Sequence, residues 1–110
     1  MSGMSDIEDQ TYCYIWEFVV KDRSNADFEK FYGANGDWVE LFRRGSGYLK
    51  TDLIRDQSKS QRYFTIDHWR CRENYSEFRR VFDAAFVELD KHCEDLTVQE
   101  SKIGEFTKID

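Results

Sequence analysis

Proline is absent from the 110 residues, histidine occurs only twice and cysteine three times. The cysteines (Cys13, Cys71 and Cys93) are odd in number, widely spaced and without a CxxC pair. That argues against a disulfide framework and against a zinc site; they read as reduced thiols behaving as small apolar side chains. No repeat or low-complexity stretch is present, and no apolar run approaches the ~20 residues of a membrane-spanning helix. Basic clusters are short as well: Arg43-Arg44 and Arg79-Arg80 stop at two residues. With 16 Lys+Arg against 22 Asp+Glu, the net charge is -6 and the pI about 4.9. Nucleic-acid binding draws most of its strength from neutralised phosphates, so nucleic acid is excluded as a partner, and so is an anionic membrane surface. Residues 1–10 are acidic and lack both the basic and the apolar segment of a secretion signal. The expectation is a mobile acidic leader at 1–10, a single domain at 11–110 and a cytoplasmic location.

What the chain has is aromatic mass. Mean hydropathy is only -0.76, yet nine Phe, six Tyr and three Trp make 16% of the residues. A few large side chains must therefore supply most of the burial, and a disordered chain would lack them. Tyr12 to Val20 is rich in aromatic and β-branched residues and reads as a strand. Tyr14, Trp16, Phe18 and Val20 fall on one face; Cys13, Ile15, Glu17 and Val19 fall on the other. Both faces are largely apolar, which calls for cover on both sides.

Ser24 with Asp27 forms a capping signature that opens a helix carrying Phe28, Phe31 and Tyr32. Gly33-Ala34-Asn35-Gly36 interrupts it, and Asp37 with Glu40 reopens it with Trp38, Leu41 and Phe42 in the same phase. Gly45 falls where a terminating glycine is expected. Gly47 to Asp56 and Arg62 to Arg70 read as a hairpin, with Leu49, Thr51 and Leu53 alternating with Lys50 and Asp52. In the partner strand Asp67 shares a face with Trp69, while His68 points the other way. Asn74, with Glu77 in the capping-box position, opens a long helix. Its stripe of Tyr75, Phe78, Phe82, Ala85, Phe86, Leu89, Cys93 and Leu96 keeps a 3.6-residue period. Arg79 and Asp83 are placed to pair one turn apart. Thr97 to Thr107 reads as the last strand, with Gly104 marking a bulge or an end.

The order strand, helix, strand, strand, helix, strand predicts an α+β, ferredoxin-like βαββαβ fold: a four-stranded antiparallel sheet with its helices on one face. The other face, apolar as well, predicts a symmetric homodimer, sheet against sheet.

Several segments resemble the antibiotic biosynthesis monooxygenase family, a branch of the dimeric α+β barrel superfamily. They are Thr65-Ile66-Asp67-His68-Trp69, Asn74-Tyr75-Ser76-Glu77-Phe78, Tyr32-Gly33-Ala34-Asn35-Gly36-Asp37-Trp38, Leu41-Phe42-Arg43-Arg44, Gly47-Tyr48-Leu49, and Leu89-Asp90 through Cys93-Glu94-Asp95-Leu96-Thr97. The likeness spans about residues 12–106, and its nearest subset is mostly uncharacterised. It implies a dimeric barrel with a ligand cleft between sheet and helices in each protomer. Some members oxidise aromatic polyketides or quinols with dioxygen and no cofactor; others degrade haem.

Cofactor-free oxygenation needs an electron-rich, deprotonatable substrate beside dioxygen, in a dry aromatic pocket with a base and hydrogen-bond donors. The candidate acid–base groups are Asp67 and His68, of which at most one can face a given cleft. The candidate substrate-binding residues are Trp16, Tyr32, Trp38, Trp69, Phe78 and His92. Each has a plainer reading. An aromatic stripe is usually core, Asp67 can tie down an arginine such as Arg62 or Arg70, and His68 can be a structural histidine. His92 can pack at the solvent edge of its helix. The haem-degrading members carry an Asn on the first strand and a Trp and a His on the second helix. Here the first strand has no Asn, Phe78 stands at the Trp position, and the His would fall near Glu88, one turn before His92. These departures argue against haem, and the residues point to no other cofactor and to no metal. No GxGxxG follows a strand, which argues against flavin and nicotinamide, and no GxSxG supplies a nucleophile elbow. Two readings remain: a monooxygenase for a small apolar or aromatic compound, and a non-catalytic ligand-binding or stress-response module of the same shape.

Overall fold

The strand expected at the start of the chain forms as β1, Tyr12–Val20. It is followed by α1 (Asn25–Tyr32), α2 (Asp37–Phe42), β2 (Tyr48–Arg55), β3 (Arg62–Trp69), the long α3 (Arg72–Cys93), one 3-10 turn (Glu94–Leu96) and β4 (Thr97–Thr107). The structure is a computed structural model and describes residues 11–109; the leader expected at 1–10 lies outside the described residues. The strands form one sheet in the order β2-β3-β1-β4, with every neighbouring pair antiparallel. This is the ferredoxin-like α+β architecture expected from the element order.

Alternation sorts the side chains. Along β3, Tyr63, Thr65, Asp67 and Trp69 are buried, whereas Arg62, Phe64, Ile66 and His68 are only half-buried. On β1 the residues facing the helices are Tyr12, Tyr14, Trp16, Phe18 and Val20, and they join Phe28, Tyr32, Trp38, Leu41, Phe42, Trp69 and Phe78 in one core. Aromatic rings dominate it, as the composition requires: Phe28 stacks on Tyr32 at 4.2 Å, and Trp69 packs against Phe42, Tyr48, Tyr75 and Phe78. The opposite sheet face carries Ile15, Val19, Phe64 and Ile66 from the two central strands, and no described helix packs there.

The interruption at Gly33–Gly36 does split the first helical segment in two. A side chain at Gly36 would bring its Cβ within 2.5 Å of the Lys30 and Phe31 carbonyl oxygens, so the chain can reverse there only without one.

Several local expectations are corrected. Ser24 stands at the N-cap of α1, but its side chain makes no capping bond. Gly36, not Asp37, precedes α2. The long helix starts at Arg72 after Cys71, two residues before Asn74; the Asn74 amide oxygen instead accepts from the Cys71 thiol at 3.1 Å, and Glu77 pairs with Arg80. Gly45 has no left-handed backbone; it is small because a Cβ there would meet Phe78 and Trp69 at 2.9 and 3.0 Å. The left-handed glycine is Gly47 (φ 88°), pressed against Asn74. Leu49 does not alternate with Thr51, because β2 slips register between Tyr48 and Lys50 and leaves Leu49 exposed. The bulge expected near Gly104 is present: pairing with β1 jumps from Gly104 to Lys102 and skips Ile103. Arg79 and Asp83 pair as expected, at 2.8 Å.

Candidate functional site

Between the helices and the covered sheet face lies a cleft of about 280 Å³. β1 contributes Tyr14, Trp16 and Phe18 to its walls, and β2 and β3 contribute Thr51, Thr65 and Asp67. Tyr32, Trp38 and Phe42 come from the broken helix, Tyr75, Arg79, Phe86 and Asp90 from α3, and Glu100 and Lys102 from β4. Aromatic rings from β1, the broken helix and α3 thus line the same cleft as one carboxyl on β3.

That carboxyl is Asp67. It is 5% exposed, and its Oδ1 accepts a hydrogen bond from the Thr51 hydroxyl at 2.5 Å. Thr51 is in turn bonded to the Tyr48 hydroxyl at 2.7 Å. Among the described residues no arginine or lysine pairs with Asp67: of the two partners considered from the sequence, Arg62 and Arg70, the first spends its guanidinium on Glu17 and Asp56. Removing a carboxylate from water disfavours its charged form. Burial accordingly pushes Asp67 up to about 7, the Thr51 bond opposing the shift and the negative Asp52 adding to it.

The walls are held by their own contacts. Trp69 donates its indole N–H to the Tyr14 hydroxyl at 3.3 Å, and burial raises the Tyr14 phenol well above its usual range. Burial also raises the Tyr32 phenol. Trp38 meets Phe86 edge-on at 4.9 Å, and its Nε1 is the buried side-chain donor left without a hydrogen bond among the described residues. The Arg79 guanidinium lies 3.8 Å over the Phe86 ring and donates to the Tyr75 hydroxyl at 3.2 Å. Lys102 reaches Glu105 at 2.7 Å. The lining is therefore mostly apolar, with charged groups confined to α3 and β4 apart from Asp67.

Of the residues singled out from the sequence, Trp16, Tyr32, Trp38 and Asp67 line this cleft together. The other four do not. His68 lies on the opposite sheet face, 3.2 Å from Asp52. Trp69 and Phe78 are 0% and 1% exposed and form the floor beneath the lining residues. His92 packs edge-on against Phe31 at 5.4 Å and takes no part in the walls. Sequence reasoning missed Thr51, Thr65, Tyr14 and Arg79 as site residues. A signal existed for three of them, since Thr65 shares a strand face with Asp67, Tyr14 shares one with Trp16 and Thr51 shares one with Leu53. Among the described residues no three His, Cys, Asp or Glu side chains gather as a metal site would require.

Neither a family model nor a curated protein matches this sequence. Solved structures do match it in fold. A candidate antibiotic biosynthesis monooxygenase from Bordetella bronchiseptica superposes with a TM-score of 0.74 at 24% identity, covering 91% of this chain and 98% of that one. SnoaB, a cofactor-independent oxygenase from Streptomyces nogalater, gives 0.74 at 19% identity over 92% and 95%. A further candidate monooxygenase, from Nitrosomonas europaea, gives 0.66 at 14% identity over 90% of each chain. The chain therefore has the fold of the antibiotic biosynthesis monooxygenases over nearly its whole length. Identities this low carry the fold alone.

Proposed function

We propose that this protein is a cofactor-independent monooxygenase acting on a small, electron-rich aromatic compound of the quinol or anthrone kind. The observation that carries this reading is Asp67, a carboxyl with no cationic partner among the described residues, set in an aromatic-walled cleft, its pKa pushed up to about 7. A general base works best when its pKa lies near the working pH. The likeness of fold to an oxygenase that needs no cofactor supports the same reading.

Asp67 takes a proton from an activated ring carbon or hydroxyl, and the electron pair stays on the substrate. The resulting anion is reducing enough to react with dioxygen directly, forming a C–O bond. Loss of water then turns an activated CH₂ and O₂ into C=O and H₂O. Two protons leave the ring carbon, and both are accounted for in the water released. The apolar walls keep bulk water from reprotonating the anion, and the stacked rings hold a flat substrate in one plane.

The working unit in this reading is a homodimer. Ile15, Val19, Phe64 and Ile66 on the uncovered sheet face, flanked by the exposed Ile54 and Phe106, are buried when a second copy packs its own sheet there. The three free thiols fit a reducing compartment, the cytoplasm; no described helix is long and apolar enough to cross a membrane.

An oxygen electrode tests the proposal. Purified protein given hydroquinones or anthrone is expected to consume dioxygen, and Asp67→Asn to abolish the consumption. Binding of these compounds without turnover would instead establish the ligand-binding module.

A further inference from the structure

A chain of hydroxyls runs from Asp67 away from the cleft. The register slip at Leu49 turns Tyr48 and Thr51, three residues apart, onto the same side of β2, and it brings their hydroxyls to 2.7 Å. In a regular strand, residues at that spacing point to opposite faces. Thr51 then bonds to Asp67. Tyr48 and Thr51 also border a second hollow, which includes Ala34 of the break, Val39 of α2 and Arg43 just after it. Thr51 is the residue common to the cleft and this hollow.

We propose that Thr51 and Tyr48 form a proton relay joining Asp67 to the hollow beside the Gly33–Gly36 break, so that Asp67 exchanges its proton with solvent while substrate fills the cleft. The chemistry of the proposal rests on the oxygenase reading. One base must remove two protons from the same carbon in succession, and after the first it is protonated and spent. Asp67 then donates to Thr51 Oγ, Thr51 passes its own proton to Tyr48 Oη, and Tyr48 releases one to solvent. The bonds broken and formed are O–H throughout, and no electrons move. The proton that completes the peroxide oxygen returns from solvent through the same hydroxyls and Asp67, so the turnover is proton-neutral. Both hydroxyls can donate and accept, so the chain can be polarised either way. The titratable groups facing this path are Tyr14 on β1 and Arg43 after α2, with Tyr75 and Arg79 of α3 across the cleft; Asp52, on the other face of β2, acts on it through its charge. Thr51 and Tyr48 act through Asp67 and are positioning and relay residues.

The test uses full-length protein, anthrone as the probe and Thr51→Val, Thr51→Ser and Tyr48→Phe. Thr51→Val is expected to lower kcat about tenfold with KM changed less than about twofold, and to enlarge the solvent deuterium isotope effect. Thr51→Ser is expected to restore both, and Tyr48→Phe to move them the same way but less. Unchanged kcat and isotope effect in Thr51→Val, with Asp67→Asn inactive, would overturn the relay and leave the oxygenase reading standing. If the wild-type protein does not oxidise anthrone or a hydroquinone, the oxygenase reading fails. The relay is then decided by infrared titration of ¹³C-labelled aspartate in the ligand-free protein, with Asp67→Asn identifying the band. Coupled hydroxyls require both Thr51→Val and Tyr48→Phe to raise the Asp67 midpoint, the second less than the first; a midpoint that either substitution leaves in place overturns it.

Discussion

The two faces of one sheet receive adjacent residues of the same strands and treat them oppositely. On the helix side, Asp67 sits among aromatic rings with one neutral hydrogen-bond donor. On the other side its neighbour His68 is half-buried and lies against Asp52, which has Lys50 within 3.4 Å. A carboxyl on the first face has its protonation set by desolvation, whereas an ionisable group on the second keeps partners and some water. The face a side chain occupies, more than its chemical type, decides which of two neighbouring titratable residues can act as a base in the cleft.

The sharpest way to break this comparison is Asp67→Asn. If Asp67 is the base, turnover falls by a factor of about a hundred or more. A second consequence needs no substrate. The folded chain holds this proton up to about pH 7, while an unfolded aspartate releases it near pH 4. Between those values the folded state binds more protons, so stability falls as pH rises and levels off above 7. The loss amounts to about 4 kcal/mol at most. Asparagine keeps the shape and can still accept from Thr51. Urea denaturation at pH 4.5 and pH 8 should therefore show a decline in the wild-type protein that the variant lacks. Parallel pH dependence in the two proteins would show that Asp67 is not held protonated by burial.

The uncovered face is tested by Ile66→Asp. If two copies meet there, symmetry places two unpaired carboxylates in one apolar interface, and each costs several kcal/mol unless it escapes to water. The expected result is a dimer in the wild type at micromolar concentration and a monomer in the variant, read by sedimentation. The Asp67 infrared midpoint on the other face should not move. A wild-type protein that sediments as a well-folded monomer would remove the dimer from the proposal.

Much of this division was legible in the sequence. The double apolar character of Tyr12–Val20 announced a sheet apolar on both faces, and the alternation in Arg62–Trp69 separated Asp67 from His68. Depth was not legible. Trp69 and Phe78 share faces with the lining residues, but periodicity gives direction and not distance, so floor and wall look alike. Nor was the slip at Leu49, because Leu49, Thr51 and Leu53 alternate as well as a regular strand would. That slip puts Tyr48 on the face of Thr51 and hence brings their two hydroxyls together. Where the long helix begins was misread: Asn74 has the chemistry of a cap, yet the helix starts at Arg72, and Asn74 lies against Gly47 instead.

The smallest expected effect sharpens the comparison most finely. His68→Gln keeps a polar side chain of similar length within reach of Asp52 and alters nothing on the helix side. A partly exposed pair of this kind contributes between zero and about 1 kcal/mol, so unfolding free energy should shift by no more than that. Oxygen consumption, where present, should stay within about twofold of wild type. The same substitution read against Asp67→Asn places two variants one residue apart with effects two orders of magnitude apart. Comparable losses of turnover from both would mean that chemistry passes through the sheet, and the separation of its faces would no longer explain which residue acts.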